Sequence, residues 1–599
     1  MVKTHKFRYR KETLEIRPVI EYTIFFEGES PIDVKETLKS FDRNQLIRMT
    51  TLLSLHYGNL HLPDEMHTFF SSTSDKYMPY LNALFIRYKK RMRIKPNQVV
   101  QVCTFRSSLE LWRQIFSIPS NEFIAQVKDY DMELVLFKVI LTLNEQLASF
   151  KGNSNEFRTD EFLFLNSFLN NDSNNYDFKD VIQAQSLYFK RLIEFIPSND
   201  VLIEASKRLF AVWGITHWAQ YYTTILWLAY ETNKYKEDSD FGVPILPLDS
   251  MKLRDKTGLF SVSLVNSLSI AEDEFIPYDQ VGDTTNRGLN IDYRRFRAKP
   301  FVRMNDGNYV VINNQFLCER LFNSLFFDFM PLINGSKGSC GKFDYNKDFI
   351  EKELFRKAFL NCFRLDVFTF PSRNYMGTKE EANEPDFYAR TKNGELIIAE
   401  CKAIKMNGEC RDDGDYKRLL EELHEKIVVK TRNIDMSRKE YKGGRELIGV
   451  GQLIRHIESI EDDSFRCDDA IPDQVIYYPI LVFEDVRFFQ PGFLCLINRW
   501  FYEEIVNRAA MNISEMSLKP VMALSIRTLY LYDDYIRKNR LPQIINSFLG
   551  EYASYNPITG KYSFHNPLVN FDSYLRLNHF DKSREITKWG KQFLASTGV

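Results

Sequence analysis

Hydrophobic residues recur at helical spacing over residues 32–230. Leu134, Phe137 and Leu141, for example, lie three or four positions apart, which places their side chains on one face of an α-helix. No repeat unit of this pattern recurs along the chain. The sequence therefore predicts a mainly α-helical N-terminal part.

The periodicity changes across residues 232–249, where a charged stretch is followed by Pro244 and Pro247. Such stretches are typical of connections between domains. At 599 residues, the chain also exceeds the length at which one hydrophobic core usually stops growing. We predict a mainly helical N-terminal domain over residues 1–240, which acts as a sensor or binds nucleic acid or a partner, and a second domain over residues 241–599.

Short β-type runs and helical patterns alternate in the second domain. The turn-forming sequence Asn305-Asp306-Gly307-Asn308 separates two apolar runs and predicts a β-hairpin. Helical spacing predicts helices from about residue 315, over residues 347–363 and over residues 451–460. Further strands are expected at residues 367–370, 386–390, 395–401, 475–483 and 521–526. The fold class predicted for this half is α/β.

Composition narrows the class of protein. Hydrophobic residues make up 44% of the chain and charged residues 27%, as in a globular protein rather than a disordered one. The formal net charge of -1 provides no global positive field, so attraction to nucleic acid depends on local patches. The eight cysteines form no CxxC pair, and no apolar run reaches the roughly 18 to 20 residues of a membrane span. We expect a cytoplasmic protein without a membrane segment; homo-oligomers or a partner protein are left open.

Acidic residues and a lysine lie in a second predicted hairpin. Its first strand begins at Asp386, and its second strand runs into Glu400 and Lys402. Residues two apart in a strand point to the same face, so Glu400 and Lys402 project together. An acid and an amine are thereby held side by side.

The length of the turn decides whether Asp386 joins them. With a three-residue loop over residues 392–394, Asp386 lies opposite Glu400. A two-residue loop would place it opposite Cys401, on the other face, unless a bulge restored it. The three-residue loop is preferred, because Gly394 can adopt the left-handed conformation with which such loops commonly end.

Two carboxylates held together in a cleft repel each other, which raises the pKa of at least one of them unless a cation compensates. Oxygen ligands suit a hard ion such as Mg²⁺ or Mn²⁺, which keeps bound water for attack and leaves room for phosphate oxygens. The Lys402 ammonium would orient the nucleophile and offset the charge that develops on phosphorus. This combination indicates metal-dependent cleavage of phosphodiester bonds.

The order Pro385-Asp386, a turn and Glu400-Cys401-Lys402 resembles the signature of the PD-(D/E)XK, or restriction-endonuclease-like, nuclease superfamily. The resemblance implies a central mixed sheet flanked by helices and hydrolysis of DNA with Mg²⁺ or Mn²⁺. It implies that Asp386, Glu400 and the backbone carbonyl of Cys401 bind the metal.

The motif region, residues 347–460, contains two further residues implied by the resemblance. An extra acid from a preceding helix would be Glu351, as a further metal ligand. Glu351 shares a helical face with Leu354, whereas Glu353 lies on the polar side. Gln452, on the helix after the second acidic strand, would position the water or a phosphate. Each of these two residues is equally well explained as part of a helix surface.

Two basic runs are candidates for contact with phosphates. They comprise Arg87, Lys89, Lys90, Arg91 and Arg93 in the first run, and Arg294, Arg295 and Arg297 in the second. Clustered cations bind the nucleic acid backbone, although a solvated helix face explains the first run nearly as well. A charged insertion at residues 407–445 departs from the family's pattern and is a candidate lid, DNA contact or partner site.

A long nuclease with a helical front half and no helicase or methylase motif resembles a bacterial restriction or phage-defence protein, and DNA is the expected substrate. An RNA nuclease is an alternative, because a metal site does not sense the 2′-hydroxyl. A nuclease fold that has lost activity and serves only in nucleic-acid binding or assembly is another. The intact Asp386, Glu400 and Lys402 argue against this last alternative.

Overall fold

The computed structural model describes residues 19–56, 61–62, 74–94, 100–127, 129–147, 156–170, 178–237, 245–278, 293–334, 343–370, 384–404, 406, 415–431, 445–508 and 517–577. Within these residues the fold is mixed α/β, with helices in the majority. None of the described helices carries an apolar stretch of the length that a bilayer crossing requires.

The helices before residue 335 include those predicted over the N-terminal part. They are Tyr22–Phe25, Val34–Lys39, Arg43–His56, Ser74–Arg91, Phe105–Phe116, Asp129–Leu147, Thr159–Asn170, Phe178–Phe195, Asp200–Trp213, Trp218–Glu237, Leu248–Arg254, Val262–Ser267, Arg294–Ala298, Asn314–Glu319 and Leu325–Asn334, with 3₁₀ turns at Ser120–Glu122 and Ile196–Ser198. The prediction that this part is mainly helical is confirmed for its described residues.

The helices after residue 342 surround a sheet. They are a π-helix at Tyr345–Phe355, a 3₁₀ turn at Val486–Phe488, and α-helices at Arg356–Asn361, Tyr416–Ile427, Val450–Glu461, Phe493–Arg508, Ile526–Leu531, Asp533–Asn539, Leu541–Tyr552 and Phe571–Leu577. The helix predicted over residues 347–363 is thus found as a π-helix that continues into a short α-helix.

The strands, in chain order, are β1 (His61–Leu62), β2 (Val100–Gln101), β3 (Ser269–Ala271), β4 (Phe301–Arg303), β5 (Tyr309–Val311), β6 (Phe368–Thr369), β7 (Phe387–Thr391), β8 (Glu395–Lys402), β9 (Val429–Thr431), β10 (Arg445–Leu447), β11 (Ile476–Phe483), β12 (Met522–Ser525), β13 (Ala553–Asn556) and β14 (Lys561–Phe564). The hairpin predicted around residues 305–308 is confirmed as the antiparallel pair β4 and β5.

Five of these strands form the central sheet, in the order β12-β11-β8-β7-β6. Strand β11 is parallel to both β8 and β12, whereas β7 is antiparallel to β8 and to β6. Strands β8 and β11 are buried along almost their whole length, which explains their nearly continuous apolar sequences. The sheet is therefore mixed and is covered on both faces at its centre.

The register of the β7-β8 hairpin decides how its acidic residues are placed. Phe387 pairs with Ala399, and the residue before this pair, Asp386, consequently comes opposite Glu400. This is the register predicted from a three-residue loop. The two acids therefore lie at the same end of the hairpin.

The turn of this hairpin depends on Gly394. Its φ is +79°, and its N–H donates to the Thr391 carbonyl at 3.1 Å. A Cβ at Gly394 would lie 2.0 Å from the backbone oxygen of Gln474, which precedes β11. Glycine is therefore required here both by the left-handed conformation and by the close approach of a neighbouring segment.

Buried apolar side chains form two cores, and the sheet β3-β4-β5 lies between them. Alternate residues of this sheet face opposite sides: Val302 and Val310 belong to the N-terminal core, whereas Phe301 and Val311 belong to the larger core around the central sheet. A period of two residues is what a strand with both faces covered provides. The short sheet thus joins the two halves of the molecule.

The two cores are not divided at residue 240, where the sequence analysis placed a domain boundary. The helices over residues 159–237 pack into the larger core together with the central sheet. Conversely, the side chains of Ile270 and Phe296 belong to the N-terminal core. Helical periodicity identifies the apolar face of a helix but not the partner against which it packs, so the sequence did not indicate this exchange.

The described part of the 407–445 insertion is packed against the body of the protein. Tyr416, at the start of the helix Tyr416–Ile427, donates a hydrogen bond to Asn166 at 3.1 Å and lies against Phe157 and Phe162. Strands β9 and β10 pair antiparallel at its end. Tyr416 thus anchors the insertion to the helix Thr159–Asn170. The rest of the insertion lies outside the described residues.

Candidate active site

The candidate site lies at the C-terminal end of β8. Glu400 and Lys402 share one face of this strand, as the alternation predicts. The helix Val450–Glu461 packs on β8 and β11 and covers Glu400. Glu400 is only 1% exposed, so its charge needs partners within the protein.

Both carboxylate oxygens of Glu400 have such partners. Lys402 Nζ lies 3.0 Å from Oε2, and His456 Nε2 lies 3.0 Å from Oε1. The Lys402 side chain is 13% exposed, whereas that of His456 is 1% exposed. One oxygen therefore faces a cation that solvent can reach, and the other faces a fully buried ring.

These contacts determine the charge state of the pair. Burial alone would raise the pKa of Glu400, but the Lys402 ammonium and the His456 hydrogen bond outweigh it and lower the pKa to about 2. Burial would lower the pKa of Lys402, but the carboxylates of Glu400 and Asp386 raise it instead. Glu400 and Lys402 are consequently both charged at neutral pH.

Asp386 joins the site from the end of β7. Its Oδ2 accepts a hydrogen bond from the Cys401 backbone N–H at 2.7 Å, which fixes it beside the Glu400 strand. Desolvation by the surrounding protein and repulsion from Glu400 hold the pKa of Asp386 well above its usual range. The side chain is nevertheless exposed, so it lies in a crowded recess that water can enter and its desolvation is partial.

Glu351, on the π-helix, is electrostatically coupled to the same group. Desolvation raises its pKa, while the charges of Lys402 and Glu400 act on it in opposite directions. Glu353 instead forms an ion pair with Lys357 at 2.7 Å on the outer side of the helix. Of the two acids, Glu351 is therefore the one directed towards Glu400 and Lys402.

Gln452 has a structural contact that its sequence pattern did not indicate. Its Oε1 accepts the backbone N–H of Gly449 at 2.8 Å and so caps the helix Val450–Glu461. The helix approaches its neighbours so closely that a Cβ at Gly451 would lie 2.5 Å from the Val428 carbonyl oxygen. Gly449 and Gly451 thus both belong to the contact that sets the position of this helix. A role of Gln452 towards water or phosphate stays a prediction.

His456 is the site residue that sequence reasoning missed. It follows Gln452 by one helical turn and is buried against Glu400. The signal was a histidine on the apolar face of an amphipathic helix, among Leu453, Ile457 and Ile460. This signal is weak in a sequence, because a buried histidine usually has a structural partner.

The donors present suit a hard divalent cation. Asp386, Glu400 and Glu351 supply carboxylate oxygens, and desolvation together with repulsion from Glu400 raises the pKa of Asp386 and of Glu351, which a nearby cation would offset. Across the described part of the chain, no group of three or more His, Cys, Asp or Glu side chains is placed so that together they could hold a metal ion. Mg²⁺ is usually held by one or two carboxylates while it keeps several waters, so an open donor set of this kind fits it.

The Cys401 side chain is not one of these donors. It is fully buried, and desolvation raises the pKa of its thiol well above the usual value. A protonated thiol is a poor ligand for a hard ion. Only the backbone carbonyl of Cys401 is left as a candidate ligand.

The first basic run is exposed at the end of the helix Ser74–Arg91. Arg87, Lys90, Arg91 and Arg93 are all exposed, whereas Lys89 lies over the Phe85 ring at 4.9 Å. Arg91 faces Glu27 at 3.6 Å, with both side chains largely in solvent. Most of the positive charge of this run is therefore directed to solvent.

The second basic run is largely neutralised. Arg295 is paired with Glu274, and Arg297 lies 2.7 Å from Glu319. The helix that carries them, Arg294–Ala298, is anchored in the N-terminal core by Phe296 rather than beside the central sheet. These ion pairs make the second run a poorer phosphate contact than its sequence indicated.

Comparisons with protein-family models, with curated proteins and with solved structures give no match for this chain.

Proposed function

We propose that this protein is a metal-dependent nuclease that hydrolyses phosphodiester bonds of DNA. The observation that carries the proposal is the grouping of Asp386, Glu400 and Lys402 at one end of the β7-β8 hairpin. Two acids and an amine in a water-accessible recess are the groups that this reaction requires. The membership in the PD-(D/E)XK superfamily is part of the proposal.

The arrangement of elements supports that membership. A central mixed sheet with helices on its faces is present, and an acid reaches the site from the helical segment that precedes the sheet. The three-residue turn gives the acids the spacing that the motif implies. These features are compatible with many α/β proteins, so the support comes from their coincidence with the three site residues.

Asp386 and Glu400 would hold Mg²⁺ or Mn²⁺, with Glu351 and the Cys401 carbonyl as further ligands. The ion would lower the pKa of bound water and offset charge on the phosphate. Lys402 would orient the attacking water and stabilise the negative charge that develops during attack. In the structure its ammonium occupies Glu400 Oε2, so Lys402 is already fixed within the recess.

Nucleic acid would approach through surfaces outside the recess. The exposed cations Arg87, Lys90, Arg91 and Arg93 form a patch that suits phosphate contact. A role in bacterial restriction or phage defence is proposed by analogy with long nucleases of this organisation, in which the helical N-terminal part would sense or bind the trigger.

The direct test is cleavage by the purified full chain of plasmid, linear and single-stranded DNA and of RNA of matched sequence. We expect cleavage of DNA in Mg²⁺ or Mn²⁺ and none in a chelator. Glu400→Gln removes the central acid, and Glu353→Gln on the outer side of the π-helix is its matched control. Loss of cleavage in the first and not in the second supports the assignment. Cleavage in the chelator, or full activity of Glu400→Gln, contradicts it.

The same experiment separates the alternatives. Preferential cleavage of RNA would identify an RNA nuclease that uses the same residues. Binding without cleavage of any substrate, in the presence of either metal, would identify a nucleic-acid-binding or assembly module that has lost activity.

A further inference from the structure

The buried end of the candidate site is formed by His456, whose role is not explained by packing alone. Its Nε2 lies 3.0 Å from Glu400 Oε1, and both residues are 1% exposed. An ionised carboxylate only accepts hydrogen bonds, so Nε2 carries the proton and donates it. Hydrogen bonds to charged groups are stronger and shorter than neutral ones, and this contact is shielded from water.

The two oxygens of Glu400 are therefore not equivalent. Oε2 faces Lys402, which also interacts electrostatically with Asp386 and Glu351. Oε1 faces His456, on the side of the helix Val450–Glu461. The contact with His456 fixes one oxygen against the helix and leaves the other directed towards Lys402.

The helix that carries His456 is held rigidly at its N-terminal end. Ile448 N–H donates to the Val428 carbonyl at 2.9 Å, and Gln452 caps the first turn. Gly451 permits the close approach to Val428 described above. A side chain one turn further along such a helix has a well-defined position, which is what an orienting contact requires.

We infer that His456 is a positioning residue, which orients Glu400 so that Oε2 is presented to a bound divalent cation. It acts through Glu400 and does not touch substrate. This inference rests on the proposed function for the identity of the cation site. Residues that orient a metal-binding side chain typically change metal affinity or activity by 10- to 100-fold when they are replaced, and a comparable effect is expected here.

The test compares two replacements of His456 whose side chains are similar in length. His456→Gln retains an N–H donor that reaches Glu400, whereas His456→Met fills a similar volume without a donor. Binding of Mn²⁺ to the full chain is measured by calorimetry in the absence of nucleic acid, and single-turnover cleavage is measured against Mg²⁺ concentration. Circular dichroism monitors folding. If His456→Met does not fold, His456→Asn, whose donor is too short to reach Glu400, replaces it.

We expect His456→Met to weaken Mn²⁺ binding by roughly 10- to 100-fold and to need correspondingly more Mg²⁺ for cleavage. His456→Gln should recover most of the affinity. Wild-type affinity in both variants overturns the inference, and so does an equal loss in both, because a purely structural role would not distinguish them by their donor.

The failure of this inference is distinguishable from the failure of the proposed function. A wild-type chain that cleaves DNA while all His456 variants bind Mn²⁺ normally overturns the inference alone. A wild-type chain that binds Mn²⁺ at the Glu400 site but cleaves no nucleic acid overturns the nuclease function, and the Gln and Met variants still test the orientation of Glu400. A chain that binds no Mn²⁺ overturns both.

Discussion

Replacement of Lys402 by alanine should separate catalysis from binding in this protein. The Lys402 ammonium lies 3.0 Å from Glu400. In the proposed mechanism it would act on the attacking water and the developing charge, which are features of the transition state. Loss of a preorganised contact of this type costs roughly 3 to 4 kcal/mol, a decrease of about 100- to 1000-fold in rate. Binding of DNA should be nearly unchanged, because the exposed cations that suit phosphate contact lie elsewhere.

The same change has a cost in stability that follows from Glu400. The decrease of the Glu400 pKa from 4.5 to about 2 corresponds to about 3 kcal/mol in favour of the folded, ionised state. Lys402 and His456 share this stabilisation. Lys402→Ala should therefore lower the free energy of unfolding of the metal-free protein by about 2 kcal/mol, since the His456 hydrogen bond is retained. Lys402→Met keeps the aliphatic stem, so it should lose less packing than Lys402→Ala. Its cleavage rate should fall by the same factor as that of Lys402→Ala.

The assay is single-turnover cleavage at saturating protein, combined with salt-dependent DNA binding and urea denaturation. Lys90→Ala is the matched control, because it removes an exposed lysine from the basic run at the end of the helix Ser74–Arg91. This control should weaken binding and flatten its salt dependence without changing the single-turnover rate. A wild-type rate for Lys402→Ala would refute the catalytic assignment. A loss of binding as large as the loss of rate would refute the assignment of Lys402 to the transition state.

Three further predictions concern the acids and the turn. As the pH falls from about 4.5 to about 2, the metal-free protein should lose the stability contributed by ionised Glu400, because the folded pKa of Glu400 lies below its unfolded value. Denaturation of Glu400→Gln should depend less on pH over this range. Asp386→Asn should abolish cleavage. It should also raise the melting temperature of the metal-free protein at neutral pH, because the raised pKa of Asp386 means that its charge opposes folding. A lower melting temperature would contradict this prediction. Gly394→Ala should lower the free energy of unfolding, measured by urea denaturation, by more than about 1 kcal/mol and should reduce cleavage. The reason is that residue 394 has a φ of +79° and that a Cβ there would meet the Gln474 oxygen. Unchanged stability would refute the role of this turn.

The sequence by itself determined the hairpin that carries the site. A side-chain period of two places Glu400 and Lys402 on one face of β8, and a glycine at position 394 selects the three-residue turn that brings Asp386 opposite Glu400. These are local properties, since they depend on bond geometry and on residues close together in the chain. The apolar runs of β8 and β11 likewise indicated strands buried on both faces.

Only the tertiary structure decided what lies against that hairpin. His456 meets Glu400 because the helix Val450–Glu461 packs across the sheet, and Arg297 is neutralised by a residue on another helix. Tertiary packing also decided which of the two cores each helix joins, since the helices over residues 159–237 pack beside the central sheet. Periodicity gives each element an apolar face, but its partner is chosen by long-range packing, and a local pattern contains no information about that choice.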